Sequence, residues 1–311
     1  NVLGKPMKEP QDVPFEKEGQ YLKSDNRSNI SYFLEHNVLL RRFTLSVGVL
    51  ANYNSALNEG IHFYPGIDAS YRIGDNFRLY GSWNRALRMP TFTDLYYEGK
   101  TNKGNPDLKP EESEAFEVGL KYNTYFLRAH IAGFYRKGKN MIDWVKEKPE
   151  DIWESQNLTK VDNLGFETNL SLLPRELGNK RFFIRKIELG YAFIHQDKDS
   201  EGYISNYALD YLKHKFTAQL SHSIWKGFSA TWYVRWQDRA GSYTKYENLK
   251  PAYEEPYAPY CLVDMKVNWE YQRLNLYAEL NNLLNSTYYD LGNIPQPGIW
   301  FKAGLRYSFK Y

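Results

Sequence analysis

The amino-acid sequence predicts an all-β fold, an antiparallel up-and-down transmembrane β-barrel with about thirteen strands in this chain. Three observations lead to this prediction. Apolar and polar residues alternate with period two over stretches of about 10 residues, longer than the usual globular strand of about 5–6 and near the 9–11 of a tilted membrane strand. Short and long connections alternate along the chain. Aromatic residues make up 17% of the sequence, and amphipathic rings are typical of membrane interfaces.

Composition excludes several other classes of protein. The 311 residues have a formal net charge of only +3, which argues against a nucleic-acid binder. A mean hydropathy of −0.66 and the lack of any long apolar stretch argue against a bundle of membrane helices. Cys261 is the only cysteine, so no disulfide forms within the chain.

The alternation defines the strands in order. We predict strands at 28–40, 43–54, 63–73, 77–85, 113–122, 126–137, 158–173, 182–196, 213–224, 228–239, 259–270, 273–282 and 298–309. In the second strand the odd positions from Phe43 onward are apolar, and in the tenth strand the even positions from Phe228 onward are apolar. In the last strand Phe301 and Leu305 share one face, while Lys302 and Arg306 share the other.

The connections fall into two classes that alternate. Connections after the odd-numbered strands are short, and most have two or three residues, such as 41–42, 74–76 and 225–227. Connections after the even-numbered strands are long, at 55–62, 86–112, 138–157, 197–212, 240–258 and 283–297. Short turns at one rim and long loops at the other are typical of an outer-membrane barrel, with periplasmic turns and extracellular loops.

The charged residues decide which face of the wall meets lipid. A basic residue at the bilayer midplane costs about 2–4 kcal/mol on the lipid face. The polar faces must therefore line the lumen; they include Arg78, Arg128, Arg235, Lys266 and Arg306. Aromatic residues near strand ends would then form two interfacial girdles: Tyr53, Tyr71, Phe77, Trp83, Phe116, Tyr122, Trp225, Trp236, Trp269 and Tyr307. The alternative is a water-soluble barrel with an apolar interior, since periodicity alone does not distinguish inside from outside.

Three motifs resemble the TonB-dependent outer-membrane receptors, in particular the cobalamin and siderophore receptors. Residues 84–97 read NRALRMPTFTDLYY, residues 104–111 read GNPDLKPE, and residues 116–122 read FEVGLKY. The segments NNLLNSTYY at 281–289 and GNIPQPG at 292–298, before the last strand, agree with this resemblance. An aromatic C-terminal residue, Tyr311, is similar to the family's barrel-assembly signal.

The resemblance implies a fold and a location for the whole protein. Family members have 22 strands, an N-terminal plug domain and a TonB box, so the thirteen strands would be the last thirteen of the barrel. Bacterial barrels also have an even strand count, which agrees with further strands upstream. We therefore expect residues 1–27 to be an extracellular loop remnant and 28–311 to be the C-terminal portion of the barrel in the outer membrane of a Gram-negative bacterium. The expected partners are outer-membrane lipid, TonB through the plug, and a small-molecule nutrient.

Two sets of residues are candidates for function. Arg85, Arg88, Glu117 and Lys121 are expected to form a charge network in the lumen that holds the wall to the plug, a role we favour over substrate contact. The long loops are rich in aromatic residues suited to capture of a large ligand: Tyr96, Tyr97, Trp153, Tyr203, Tyr207, Tyr243, Tyr246, Tyr253, Tyr257, Tyr288 and Tyr289. The alternative for this second set is an interfacial girdle with packing of one loop on another.

These features favour an active importer of a bulky, scarce nutrient, namely an iron–siderophore, heme or a corrinoid. The alternative is a passive porin-type channel. No nucleophile motif, metal-binding spacing or phosphate loop is present in the sequence. We therefore expect no enzyme activity, no cofactor and no metal site.

Overall fold

The fold is one long antiparallel sheet. A computed structural model describes residues 26–55, 60–148, 150–178, 180–199, 202–205, 211–247, 250–291 and 294–309, so nearly all of the expected 1–27 remnant lies outside the described residues. The wall strands are β1 (Asn29–Leu39), β2 (Phe43–Asn54), β3 (Ile61–Ile73), β4 (Phe77–Arg88), β6 (Glu111–Asn123), β7 (Leu127–Lys146), β8 (Trp153–Leu172), β9 (Ile184–Asp199), β11 (Tyr211–Trp225), β12 (Phe228–Ala240), β15 (Tyr260–Tyr271), β16 (Leu274–Asn281) and β19 (Trp300–Tyr307). Each wall strand pairs with the next in this order, which confirms the up-and-down topology.

The remaining elements lie in the long loops. They are α1 (Phe92–Tyr96), β5 (Asn102–Lys103), β10 (Ile204–Ser205), the hairpin of β13 (Ser242–Glu247) and β14 (Lys250–Pro256), and the hairpin of β17 (Tyr289–Leu291) and β18 (Ile294–Pro295). A turn of 3-10 helix at Pro174–Leu177 lies in the longest of the connections at the short-turn rim. No helix within the described residues is long and apolar enough to cross a bilayer.

All thirteen predicted strands are confirmed, but one predicted loop is wrong. Most of 138–157 is strand, because β7 and β8 continue as a paired hairpin with Met141 opposite Leu158 and Val145 opposite Glu154. The true connection is only 147–152. The sequence hides this extension because the hairpin rises beyond the apolar part of the wall, where neither face needs to be apolar and period two weakens.

The register places the apolar side chains on one face, called the outward face below, and the polar ones on the lumen face. Val118, Phe301 and Leu305 are 58%, 62% and 70% exposed on the outward face. On the lumen face, Arg128 and Arg235 line one cavity of about 720 Å³ together with residues of strands far apart in the sheet. Strands that are not neighbours can share a cavity only on the concave side, so the polar face lines the lumen. The alternative of a soluble barrel with an apolar interior is therefore wrong.

The aromatic residues predicted to form girdles all lie on the outward face. Phe77 is paired with Tyr122 near the short turns, with ring centroids 4.5 Å apart, and Trp83 is paired with Phe116 toward the long loops, with ring centroids 6.4 Å apart. The two levels are separated by the apolar rows between them. This arrangement is that of two interfacial belts around a hydrocarbon band.

Candidate functional site

The long-loop rim contains two groups of ordered side chains, and the first is built on the β4–β6 connection. Helix α1 begins after Thr91, whose hydroxyl accepts a hydrogen bond from the Asp94 backbone N–H at 3.1 Å, while Asp94 Oδ2 accepts from the Thr91 N–H at 2.9 Å. This reciprocal cap satisfies two amide groups that a short helix otherwise leaves without partners. The sequence contains the cap as TFTD, but its place inside a long loop concealed it.

The GNPDL segment packs against α1. A Cβ added at Gly104 would lie 2.8 Å from the Leu95 carbonyl carbon and the Tyr96 nitrogen, so only glycine permits this approach. The Asn105 N–H donates to the Asp94 carbonyl at 2.9 Å. Leu95 and Leu108 are both 9% exposed. The motif therefore closes the loop into a compact unit.

Arg88 and Glu111 fasten the base of this unit. Arg88 Nε and Nη2 donate to the two oxygens of Glu111, each at 2.6 Å, and the Ile142 N–H donates to Glu111 Oε1 at 2.7 Å. Arg88 Nη1 also lies 3.7 Å from Asp94 Oδ2. The pair therefore joins strand β4, helix α1 and the β7 extension, which fixes the loop over the rim.

The aromatic residues predicted in this region serve the same packing. Tyr96 is stacked on Phe92 at 6.3 Å, and Tyr97 makes an edge contact with Trp144 at 6.3 Å while remaining 49% exposed. Trp153 is covered by Lys146 Nζ, which lies 4.5 Å from the ring centroid. Of these rings, Tyr97 is the one that presents the most surface to solvent.

The second group is called the tyrosine cluster here, and its rings are Tyr243, Tyr257, Tyr260, Tyr288 and Tyr289. Tyr243 lies 5.1 Å from Tyr257 and 5.6 Å from Tyr289 between ring centroids, and Tyr260 lies 4.7 Å from Tyr288. Tyr243 and Tyr257 are only 8% and 9% exposed. The cluster joins the β13–β14 hairpin to the β16–β19 connection, two loops that are distant in sequence.

Basic side chains surround these rings. Arg239 Cζ lies 5.1 Å from the Tyr257 centroid, and Lys245 Nζ lies 5.9 Å from Tyr243 and 5.7 Å from Tyr289. Arg239 Nη1 donates to the Asp290 carbonyl at 2.6 Å, which ties the wall strand β12 to the loop. Cations placed over ring faces stabilise such a cluster and leave a partly positive rim.

The hairpin also holds a carboxylate between two donors. Lys245 Nζ lies 2.8 Å from Glu255 Oε2, and the Tyr243 hydroxyl donates to the same oxygen at 3.1 Å. The hydrogen bond from Lys245 lowers the pKa of Glu255, and the hydrogen bond to Glu255 raises the pKa of Lys245. Burial, followed by the hydrogen bond to Glu255, raises the pKa of Tyr243. All three groups therefore keep their ordinary charges at neutral pH.

The space inside the tyrosine cluster is small. A cavity of about 60 Å³ is bordered by Gln237, Arg239, Tyr257 and Tyr289, among others. This volume holds about two water molecules. A bulky ligand could reach these residues only if the two loops separate.

The structure does not bring all predicted loop residues together. Tyr243, Tyr257, Tyr288 and Tyr289 meet, whereas Tyr246 and Tyr253 are 54% and 53% exposed on the outer part of the hairpin. Tyr203 is partly buried and directly precedes β10. Tyr207 lies outside the described residues.

The sequence interpretation missed Tyr260 and Arg239 as members of the cluster. Tyr260 belongs to a predicted wall strand, and the structure places it there, with its hydroxyl donating to Gln237 Oε1 at 2.7 Å. A usable signal was strand parity, since Tyr260 shares the lumen face with the predicted Arg235, whose Cζ lies 5.9 Å from the Tyr260 centroid.

The four residues predicted as one lumen network form three separate groups. Arg85 is wrong as a lumen residue: it pairs with Glu112 on the outward face, because residues three apart in an unbroken strand point to opposite sides. Arg88 faces the lumen and binds Glu111. The other two meet through a tyrosine of the neighbouring strand.

That tyrosine is Tyr80. Its hydroxyl donates to Glu117 Oε1 at 2.8 Å and lies 2.7 Å from His130 Nε2. Lys121 Nζ lies 4.5 Å from the Tyr80 ring centroid. Glu117 and Lys121 thus belong to one polar patch on the lumen wall.

Comparison with known proteins gives this architecture a family. The family model described as TonB dependent receptor-like, beta-barrel matches residues 8–283. The chain belongs to this family. Membership of this family places the wall in the outer membrane of a Gram-negative bacterium. The lumen face and the loop rim described above are therefore parts of a receptor-family barrel.

Individual relatives are distant. The chain is 26% identical over 225 residues to the vitamin B12 transporter BtuB of Vibrio vulnificus, covering 54% of this chain and 36% of that protein. It is 22% identical over 297 residues to the ferrienterobactin receptor of Escherichia coli K12, covering 86% of this chain and 38% of that protein. The chain therefore spans little more than a third of the length of these relatives.

A solved structure agrees with the fold. The ferric enterobactin receptor PfeA of Pseudomonas aeruginosa, determined as a mutant in complex with enterobactin, superposes with a TM-score of 0.71 at 21% identity. The match covers 92% of this chain and 46% of PfeA. The superposition shows that the two chains share a fold.

Proposed function

We propose that this chain forms the wall and outer loops of an active importer for a bulky, scarce nutrient: an iron–siderophore, heme or a corrinoid. The observation that supports this most directly is the tyrosine cluster, which lies at the long-loop rim, on the side of the lumen, with Arg235, Arg239 and Lys245 against its rings. Tyrosine and arginine side chains give large contact area and directed hydrogen bonds, so they dominate many binding sites.

The relatives support the same class of function. Two of them are a vitamin B12 transporter and a ferrienterobactin receptor, and the related PfeA structure contains enterobactin. These proteins are transporters and receptors, so we propose transport rather than catalysis.

Energy coupling is the second part of the proposal. In a TonB-dependent importer a plug domain fills the lumen and responds to TonB. We propose that residues 28–311 are the C-terminal portion of such a barrel, that residues 1–27 are the remnant of an extracellular loop, and that Arg88, Glu117 and Lys121 on the lumen face contact the plug. Lys121 and Glu117 present opposite charges within one patch, which suits a polar, hydrated contact between two domains.

A binding titration tests the ligand class. Full-length protein is titrated with cyanocobalamin, ferric enterobactin and heme while the intrinsic tryptophan fluorescence is recorded. We expect one of the three ligands to bind. We expect the double variant Arg239→Gln/Tyr289→Leu to bind that ligand at least tenfold more weakly, since truncation of tyrosine and arginine anchors typically costs about 2 kcal/mol or more of binding free energy.

Tyr253→Leu is the matched control, because Tyr253 is an exposed ring of the same hairpin. We expect this variant to bind as the parent protein does. Failure of all three ligands to bind, or an equal loss in the control, would contradict the proposal.

The alternative function is a passive porin, and the polar side chains on the lumen face, such as Arg128 and Arg235, are the feature that favours it. Planar-bilayer recordings of the full-length protein separate the two functions. An importer with a plug is expected to be closed, whereas a large steady conductance that is independent of the three ligands would support the porin.

A further inference from the structure

The outward face changes from apolar to charged in a single step across five neighbouring strands. One cross-strand row, paired residue to residue, consists of Trp83, Phe116, Tyr135, Leu164 and His195. The next row toward the long loops consists of Arg85, Glu114, Lys137, Asp162 and Asp197. Glu112, Lys139 and Lys160 lie one row further. These eight charged residues are called the charged band.

The level of the charged band in the membrane follows from the row beneath it. Trp and Tyr side chains mark the boundary between hydrocarbon and headgroups, and Trp83 and Tyr135 occupy the row directly below the first charges. A row two residues further along a strand lies about 7 Å further along the strand axis, which is about 5 Å higher for a strand tilted by about 45°. The charged band therefore faces the headgroup layer of the leaflet on the long-loop side.

The acidic residues of the charged band already have donors. Glu112 lies 3.6 Å from Arg85, and Glu114 accepts from the Trp83 indole N–H at 3.0 Å. Asp162 accepts from the Tyr135 hydroxyl at 2.9 Å.

The remaining carboxylate is that of Asp197, and its partner is Lys160. The Nζ of Lys160 lies 3.3 Å from Asp162 and 3.4 Å from Asp197. Each carboxylate of the charged band thus has a hydrogen-bond or ion-pair partner within the wall.

Two cations of the charged band have no such partner. Lys137 and Lys139 are exposed, and within the described ranges neither makes an ion pair. They lie two residues apart on β7, so both side chains point outward from the same strand. The wall thus presents two ammonium groups without ion-pair partners at headgroup level. Across the strands Lys137 lies opposite Glu114 and Asp162, and Lys139 lies opposite Glu112 and Lys160.

We propose that Lys137 and Lys139 bind the phosphates of a phosphorylated lipid in the outer leaflet, with its acyl chains along the apolar row that includes Phe116 and Leu164. The two ammonium groups suit phosphate oxygens, because within the described ranges no carboxylate lies within ion-pair distance of either one. The apolar row favours a lipid over a free ion, since acyl chains bury its exposed surface. This inference does not depend on the nutrient that the protein imports.

The test measures lipid binding by full-length protein in detergent, using native mass spectrometry. The probes are lipid A with both phosphates and the same lipid with both phosphates removed. We expect K137Q/K139Q to lower the apparent affinity for phosphorylated lipid A by roughly thirtyfold, the change for two basic residues that each contribute about 1 kcal/mol at an anionic surface. K137R/K139R is expected to retain binding, because it keeps both positive charges. Circular dichroism of K137Q/K139Q that matches the parent protein shows that its loss of binding is not a loss of fold.

A matched control removes two positive charges from the opposite rim. Arg41 and Arg42 are exposed in a short turn, and R41Q/R42Q is expected to bind phosphorylated lipid A as the parent does. Three results would overturn the proposal: an equal loss in this control, equal binding of the dephosphorylated lipid, or displacement of lipid A by inorganic phosphate at the same concentration. The last result would indicate a simple anion site.

Discussion

The Arg88 and Glu111 pair provides a quantitative test of how the outer loop is fastened to the wall. The pair is bidentate at 2.6 Å, and the Glu111 side chain is only 10% exposed while that of Arg88 is 48% exposed. Removing one partner of a fully buried pair costs about 3–5 kcal/mol. Because water reaches half of Arg88 and screens the charges, we expect Arg88→Gln to lower the free energy of unfolding by about 2 kcal/mol.

The assay is a double-mutant cycle on the full-length protein, with urea unfolding in lipid followed by tryptophan fluorescence. The variants are Arg88→Gln, Glu111→Gln and the double substitution. We expect a coupling energy of about 1.5 kcal/mol, since charge-assisted hydrogen bonds to a partly buried carboxylate exceed neutral ones. The glutamine at position 111 can still accept from the Ile142 N–H, so the cycle isolates the contact with Arg88.

The same two strands supply the control. Arg85 and Glu112 lie on the outward face at 3.6 Å, with side chains 47% and 44% exposed. An exposed pair of this kind couples by about 0.2–1 kcal/mol, and we expect the low end of that range. Equal coupling energies in the two cycles would refute the claim that burial and bidentate geometry distinguish Arg88 from Arg85.

Three further predictions concern the loops. Gly104→Ala is expected to destabilise the β4–β6 loop by about 1–3 kcal/mol, because the new Cβ would lie 2.8 Å from backbone atoms. Amide hydrogen exchange of that loop measures this loss of stability. Gly133→Ala is the control and should have little effect, because the atom nearest to its new Cβ is 3.9 Å away. Tyr243→Ala is expected to cost about 3 kcal/mol of local stability in the β13–β14 hairpin, and loss of exchange protection there but not elsewhere would agree, whereas an unchanged hairpin would contradict the packing. Because the pKa of Glu255 is lowered in the folded state, its ionised form stabilises the hairpin at pH values above the unfolded-state pKa of about 4.3, and this contribution is lost as the pH falls through the folded-state pKa. Exchange protection of the hairpin should therefore be constant from about pH 7 to 5 and decline below about pH 4. The same profile in Glu255→Gln would rule out this carboxylate as the cause.

The fold was largely predictable because a strand exposes its side chains alternately to two environments. Period two located all thirteen wall strands, and the cost of a charge in hydrocarbon assigned the face with Arg128 and Arg235 to the lumen. The method failed where those environments do not differ. The β7–β8 extension stands beyond the apolar band, so the residues from 138 to 146 lack the pattern and their sequence predicts a loop where the structure has a strand.

The sequence predicted which residue types the candidate site contains but not which of these residues contact each other. Tyrosine-rich loops marked the rim, but the contacts within the tyrosine cluster join Arg239 to Asp290 and Tyr260 to Tyr288 across the sequence. Arg85 and Arg88 are three residues apart in one strand, so the alternation of side chains is enough to place them on opposite faces. The prediction of a single charge network did not apply this alternation. The hydrogen-bond partner of each charged side chain can be identified only when the register of the neighbouring strand is known.

The sequence by itself determined the class of the protein: alternating strands of membrane length, short turns opposite long loops, and motifs of one receptor family. These properties are local, since each depends on residues within one strand or one turn. Which loop side chains meet, which carboxylates have partners in the wall and which lysines have no ion-pair partner were decided only by the tertiary structure. Those outcomes depend on the pairing register of strands and on loop closure, which bring together residues that no local pattern relates.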